Sequence, residues 1–308
     1  MRNFSLLLLA TALLVLAGGC ARMPTGVTSL KSASLTELRD TLLKSKPDVE
    51  QFRLRGPFEV HVQQNHELSL SATDRIEVDW YLAAPAEKGP LVILLHGHEN
   101  GKADHSYQGL HLATWGVHCV IVDLPNQGPW VDNGRTLGRI AAAIRCRPDL
   151  VDKRVDLNRI ILAGHSFGGA AVAVALAEGA PVVGGILLDP AVPGKEFPKF
   201  LRRVSKPVML IGADEHYSPV ANRGDFFLHI RKGIAEISIA DSHHDDGQFA
   251  LDAPEDPEST SAEEHQVTFV SALTSAAFSV AYTGSFDYAW RSFAAGIASG
   301  KFSNALRK

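Results

Sequence analysis

Six runs of continuous apolar residues constrain the fold of this chain more than any other feature. They are PLVILLHG (90–97), VHCVIVDLP (117–125), RIILAGHS (159–166), VVGGILLDP (182–190), KPVMLIGAD (206–214) and AEISIADS (235–242). Each has the length of a strand and is too short to span a membrane. Most show no alternation of apolar with polar residues, so they do not read as strands with one face in water. A strand that is apolar on both sides must be covered on both. Helix-like stretches such as TLGRIAAAIRCR and GGAAVAVALAEG lie between the runs. This alternation predicts a mostly parallel sheet with helices on both faces. Before the first run, FEVHVQQ, HELSL and RIEVDWYL alternate from Phe58 onward and read as antiparallel strands.

The third run ends in AGHSFGG, which places Ser166 in a G-x-S-x-G pattern between a strand and a small-residue helix. A sharp turn there holds the serine clear of its surroundings, and Gly164 and Gly168 remove side chains that would collide with it. The helix start behind the serine offers backbone N–H groups to a developing oxyanion. Nucleophilic catalysis by Ser166 is the chemistry this pattern fits.

With those residues in view the chain resembles the α/β-hydrolases over about residues 55–300. The resemblance implies a central sheet of about eight strands. It also implies an oxyanion loop at LLHGHENG, with the backbone N–H groups of His98 and Phe167 as the oxyanion donors. It calls for an acid and then a histidine after Ser166 in the chain. The histidine should follow the last strand, where ADSHHDDG lies. Counting from Ile239 selects His244, and aligning on Ser-His selects His243. For the acid, Asp189 closes the run ending GILLDP, as in platelet-activating-factor acetylhydrolases and chlorophyllases, whose GHSxGG motif and motif order are similar. The commoner G-x-x-D-x-x-x-P spacing, with Gly212 and Pro219 in register, selects Glu215 instead, with Asp214 beside it.

The stretch HGHENGKADH (96–105) superficially resembles the H-x-H-x-D-H run of metallo-β-lactamase-type hydrolases, but its aspartate and third histidine come four residues too late. His96 already has a place in the oxyanion loop, and His105 and His111 read as helix-surface or packing residues. The resemblance implies neither a metal nor a cofactor. Only PAVPGKEFPKFLRRVS separates two of the apolar runs, at the point where many relatives insert a cap domain, so an open site is expected. Phe197 and Phe200 in that segment could edge a pocket or belong to an ordinary amphipathic helix.

The N-terminus reads differently. Arg2 precedes FSLLLLATALLVLAGG and then Cys20. The apolar run is too short and wrongly flanked for a lasting span, and it closes in small residues as a signal peptide does. LAGGC resembles the lipobox of bacterial lipoproteins, although Ala17 stands where leucine is commonest. The resemblance implies a signal peptide over residues 1–19, a lipidated Cys20 and a membrane anchor. Ala21 in place of an aspartate favours the outer membrane, and a plain secretory signal leading to a periplasmic or secreted protein is the alternative. Residues 20–54 then form the lipidated end, a polar tether and a short helix, and residues 55–308 the catalytic domain. In that helix Ser34 and Glu37 make a capping-box pattern, and Leu35, Leu38 and Leu42 recur at helical spacing to about Lys44. Cys119 and Cys146 are expected as free thiols, although an oxidising compartment permits a bridge.

The functional expectation is a serine hydrolase of carboxylic esters, whether lipid, aryl or other small esters, working through an acyl-enzyme. An amidase or peptidase with the same residues, or a non-catalytic binding lipoprotein on this scaffold, is the alternative. A formal net charge of −4 gives no sign of a nucleic-acid partner.

Overall fold

The computed structural model describes residues 34–71, 73–85, 87–124, 128–214, 223–251 and 260–308, the side chains of 260 and 261 excepted. The signal segment, Cys20 and Glu215 lie outside the described residues.

The six apolar runs become six strands: β3 (Gly89–Leu95), β4 (His118–Asp123), β5 (Val155–His165), β6 (Gly184–Leu188), β7 (Val208–Ala213) and β8 (Ile234–Ile239). All neighbouring pairs among them are parallel. The alternating stretches form β1 (Val60–Ser69) and β2 (Arg75–Ala83), which join antiparallel at one edge. Sheet order is β1-β2-β4-β3-β5-β6-β7-β8-β9. The ninth strand, β9 (Phe302–Arg307), pairs antiparallel with β8 and exceeds the expected eight. Its sequence, FSNALR, lies in a region that reads as helical throughout. Most of its side chains stay in water, so backbone pairing rather than an apolar pattern makes it a strand.

Successive side chains of a strand face opposite ways, and here both ways are dry. Leu91, Ile93 and Leu95 of β3 pack with α3 (Trp130–Cys146) and α4 (Phe167–Ala177), on the side that also carries α5 (Pro198–Leu201) and α6 (Arg223–His229). Val92 and Leu94 pack with α2 (Ser106–Thr114) and α7 (Thr260–Thr283), joined by α8 (Asp287–Ser292). A last short helix, α9 (Ala294–Ser299), leads into β9.

The N-terminal helix α1 spans Leu35–Lys44, and its capping box forms: Glu37 N–H donates to Ser34 Oγ at 3.1 Å and Ser34 N–H to Glu37 Oε2 at 2.9 Å. Leu38 and Leu42, with Phe52, bury themselves against Phe278 and Tyr288. Residues 34–52 thus belong to the same body as the sheet, which takes in Ser32–Lys308. Between β6 and β7 the only helix is the four-residue α5, so that connection carries no cap domain. Cys119 is buried in β4, Cys146 is exposed at the end of α3, and both are free.

Candidate active site

Ser166 joins β5 to α4 with φ 53° and ψ −125°, a conformation that costs a non-glycine residue on the order of 1–3 kcal/mol. The surrounding backbone fixes it. Its N–H donates to Leu188 O at 3.0 Å, and its carbonyl accepts from Gly169 at 3.0 Å and Ala191 at 3.1 Å. A Cβ on Gly164 would stand 2.4 Å from Gly168 O, and one on Gly168 would stand 2.4 Å from His96 O. One on Gly97 would stand 2.9 Å from Ser166 Cβ. Glycine at these places lets the loop after β3 close onto the serine turn. His98 follows Gly97 in that loop, and Phe167 opens α4, where the first amides have no acceptor within the helix. The His98 ring meets Phe167 and Trp130 edge-on, with centroids 6.2 and 6.4 Å apart. Trp130 itself stacks on Phe167 at 5.5 Å.

His165 pairs with Leu188 across β5 and β6, which puts Ser166 level with Asp189 at adjacent strand ends. Asp189 is buried, with φ 34°. His244 Nδ1–H donates to Asp189 Oδ2 at 2.6 Å. That bond fixes the tautomer and leaves a lone pair on Nε2. It is therefore His244, not the exposed His243, that the structure brings to the acid. The backbone N–H of His243 instead donates to Asp246 Oδ2 at 2.8 Å, and His265 Nδ1 meets the same oxygen at 3.1 Å. Asp246 closes the turn after β8 that carries His244.

Asp214 does not meet His244 through any of its described contacts. It receives Ser303 Oγ at 2.7 Å and the N–H of Asp241 at 3.3 Å, and so ties β7 to the ends of β8 and β9.

Two groups that sequence reasoning missed support this arrangement. Arg223, at the start of α6, is buried and donates from Nη1 to Asp189 Oδ1 at 2.6 Å. Its Nη2 donates to Ser238 Oγ at 2.7 Å and its Nε to Glu236 Oε1 at 3.2 Å. Ala213 N–H completes the donors to Asp189 Oδ1 at 2.9 Å. The only sequence signal was Glu236, a carboxylate inside an apolar strand, which demands a buried partner.

The second group is His165, whose Nε2–H donates to the backbone carbonyl of His244 at 3.0 Å. Gln108 Nε2 donates to Gly247 O at 2.8 Å, and His105 Nδ1 bonds Gln108 Oε1. Both ends of the histidine-bearing turn are thus held from the core. Burial, helped by repulsion from His244 and His105, holds the His165 imidazole well below its usual pKa. Burial brings His105 down to about 4. Both rings are neutral near pH 7.

The histidines of HGHENGKADH go to separate partners. His96 Nδ1–H donates to Gly97 O at 2.8 Å, the His98 side chain is half exposed, and Asp104 accepts from Gly101 N–H at 2.8 Å. Among the described residues no group of three or more His, Cys, Asp or Glu side chains is arranged so that it could hold a metal ion. His105 and His111 are both buried, as packing residues.

A doubly covered parallel sheet, a strained serine after its middle strand and a histidine–carboxylate pair from later strands define a hydrolase scaffold. The model of the alpha/beta hydrolase family matches residues 92–297, and the chain belongs to that family. Membership supports hydrolytic activity in general. No curated protein matches the sequence.

Proposed function

We propose that the protein is a serine hydrolase of carboxylic esters, with Ser166 as nucleophile, His244 as general base and Asp189 as the triad acid. The observation that carries this reading is the 2.6 Å bond from His244 Nδ1 to Asp189 Oδ2 beside a serine held in the strained turn. His244 Nε2 takes the Ser166 proton as Oγ attacks the ester carbonyl, and the oxyanion forms against the amides of His98 and Phe167. Collapse expels the alkoxide, which receives the proton from the imidazolium. Water, deprotonated by the same nitrogen, then cleaves the acyl-enzyme and releases the acid.

A cleft of about 440 Å³ supports an apolar acid part. Trp130, Val131, Pro193, Phe197 and Phe200 line it, together with the charged side chains of Arg135, Glu196 and Lys199. It abuts Phe167 through the Trp130 stack. The cleft is lined from the connection after β4 (Trp130, Val131) and from that after β6 (Pro193, Phe197, Phe200), whereas His244 follows β8. The leaving alcohol must sit by the group that protonates it, which leaves the aromatic side for the acyl chain.

A p-nitrophenyl ester chain-length series, run on the full chain in detergent beside the matching anilides, tests the reading. Esters should turn over far faster than anilides, and Ser166→Ala should lower kcat by several orders of magnitude. Undiminished turnover by that variant would sink the proposal. We further propose that the chain is lipid-anchored through Cys20 in a bacterial envelope, supported by the LAGGC sequence. Labelled palmitate should enter the wild type and not Cys20→Ser; equal labelling would refute the anchor.

A further inference from the structure

Behind Asp189 lies a buried charge series that the proposed chemistry does not use. The Asp189 carboxylate faces His244 through Oδ2 and Arg223 through Oδ1, and Arg223 faces Glu236 on its far side. All three side chains of the series are 5% exposed or less. A guanidinium 2.6 Å from the acid fixes the carboxylate plane. The same positive charge also opposes an imidazolium on the acid's other side, which would weaken the base. Glu236 offsets it. Asn304 Nδ2 of β9 donates to Glu236 Oε1 at 2.9 Å and helps hold that carboxylate against the guanidinium. The site is built for this occupant: a Cβ on Gly212 would stand 2.4 Å from Arg223 Cζ, so the strand leaves a bare patch where the guanidinium lies.

We infer that Arg223 and Glu236 are positioning residues of this active site, a paired cation and counter-charge that orient Asp189 and set the ease with which His244 accepts a proton. The inference rests on the reading of Asp189 and His244 as acid and base. Burial pushes the Glu236 carboxyl up from its ordinary value, and the Arg223 guanidinium pulls it back. Among the described residues, other titratable groups around His244 include His165 and His105, neutral by burial, and the Asp246–His265 pair behind the turn. Neither substitution below touches them.

Opposite signs distinguish this role from simple support. Glu236→Gln keeps the shape and removes the counter-charge. The guanidinium then acts on His244 unopposed, and the acidic limb of the kcat/KM–pH profile should move down, on the order of half a pH unit. Arg223→Gln removes the cation, and the limb should move up by a similar amount, with kcat lowered and KM little changed. A purely structural role would lower activity in both without displacing the limb in opposite directions. The measurement is the pH profile of the full chain on a p-nitrophenyl ester, with near-UV circular dichroism to verify the fold. Shifts of one sign, or none, overturn the inference. If Arg223→Gln fails to fold, Glu236→Gln decides alone: a downward limb supports the inference, and an unmoved or upward one ends it. Loss of activity in Ser166→Ala alongside unmoved limbs would leave the catalytic reading standing and remove only this one.

Discussion

At Gly212 the side chain is missing because Arg223 occupies its place. Gly212→Ala would displace the guanidinium while leaving every charge in the chain. We expect a lowered kcat at nearly constant KM, because Asp189 loses the Arg223 donor while the proposed substrate cleft is untouched. Steady-state kinetics on one ester checks it, and a rise in KM at constant kcat would contradict it. The same glycine illustrates what sequence could and could not say. In the chain it reads as a register mark pointing to Glu215. In the structure it makes room for an arginine that serves the acid on the neighbouring strand. Ser166 was legible because its turn needs glycines at fixed offsets, and His244 because a count from Ile239 reaches it. The choice of acid was open in the sequence because carboxylates follow both β6 and β7. Which one meets the histidine depends on the path of the turn after β8, which no local pattern encodes. Arg223 lies 34 residues from Asp189, with no periodicity to link them.

Among the elements, the six inner strands were the most legible, since a run buried on both faces carries its own signature. The N-terminal helix was equally plain: a capping box and three leucines at helical spacing give both its start and its buried face. What the pattern could not give was its partner. Leu38 and Leu42 read as the apolar side of a tethered helix, and only the folded chain places them on Phe278 and Tyr288. β9 was missed for the opposite reason. An edge strand with few buried side chains has almost no apolar pattern, yet it brings Asn304 to Glu236. The turn after β8 gains its stiffness from outside itself, from Gln108 on α2 and His165 at the end of β5. Its sequence, rich in His and Asp, advertises chemistry at several positions but delivers only His244 to the acid.

At the scale of the whole molecule, the buried imidazoles of His105, His111, His118 and His165 make folding sensitive to mild acid. Burial lowers His105, His111 and His118 to about 4, and holds His165 well below its usual range. The unfolded chain binds these protons near pH 6.5, so the unfolded state gains protons that the folded state refuses. The stability these groups contribute is full above pH 6.5 and is lost progressively as pH falls toward 4. His105, His111 and His118 each account for up to about 3 kcal/mol. Urea midpoints measured from pH 7.5 down to 4.5 should fall steeply below 6.5. A flat profile across that window would contradict the burial of these rings.

The pairing of His165 with Leu188 has a further consequence. Ser166 and Asp189, the proposed nucleophile and acid, sit at the tips of two hydrogen-bonded neighbours, so their alignment is a property of the weave itself. A slip of one residue between β5 and β6 would carry Asp189 away from the serine's level and turn its side chain to the other face. The sheet acts here as an assembly jig: folding it correctly and aligning the proposed catalytic pair are a single event.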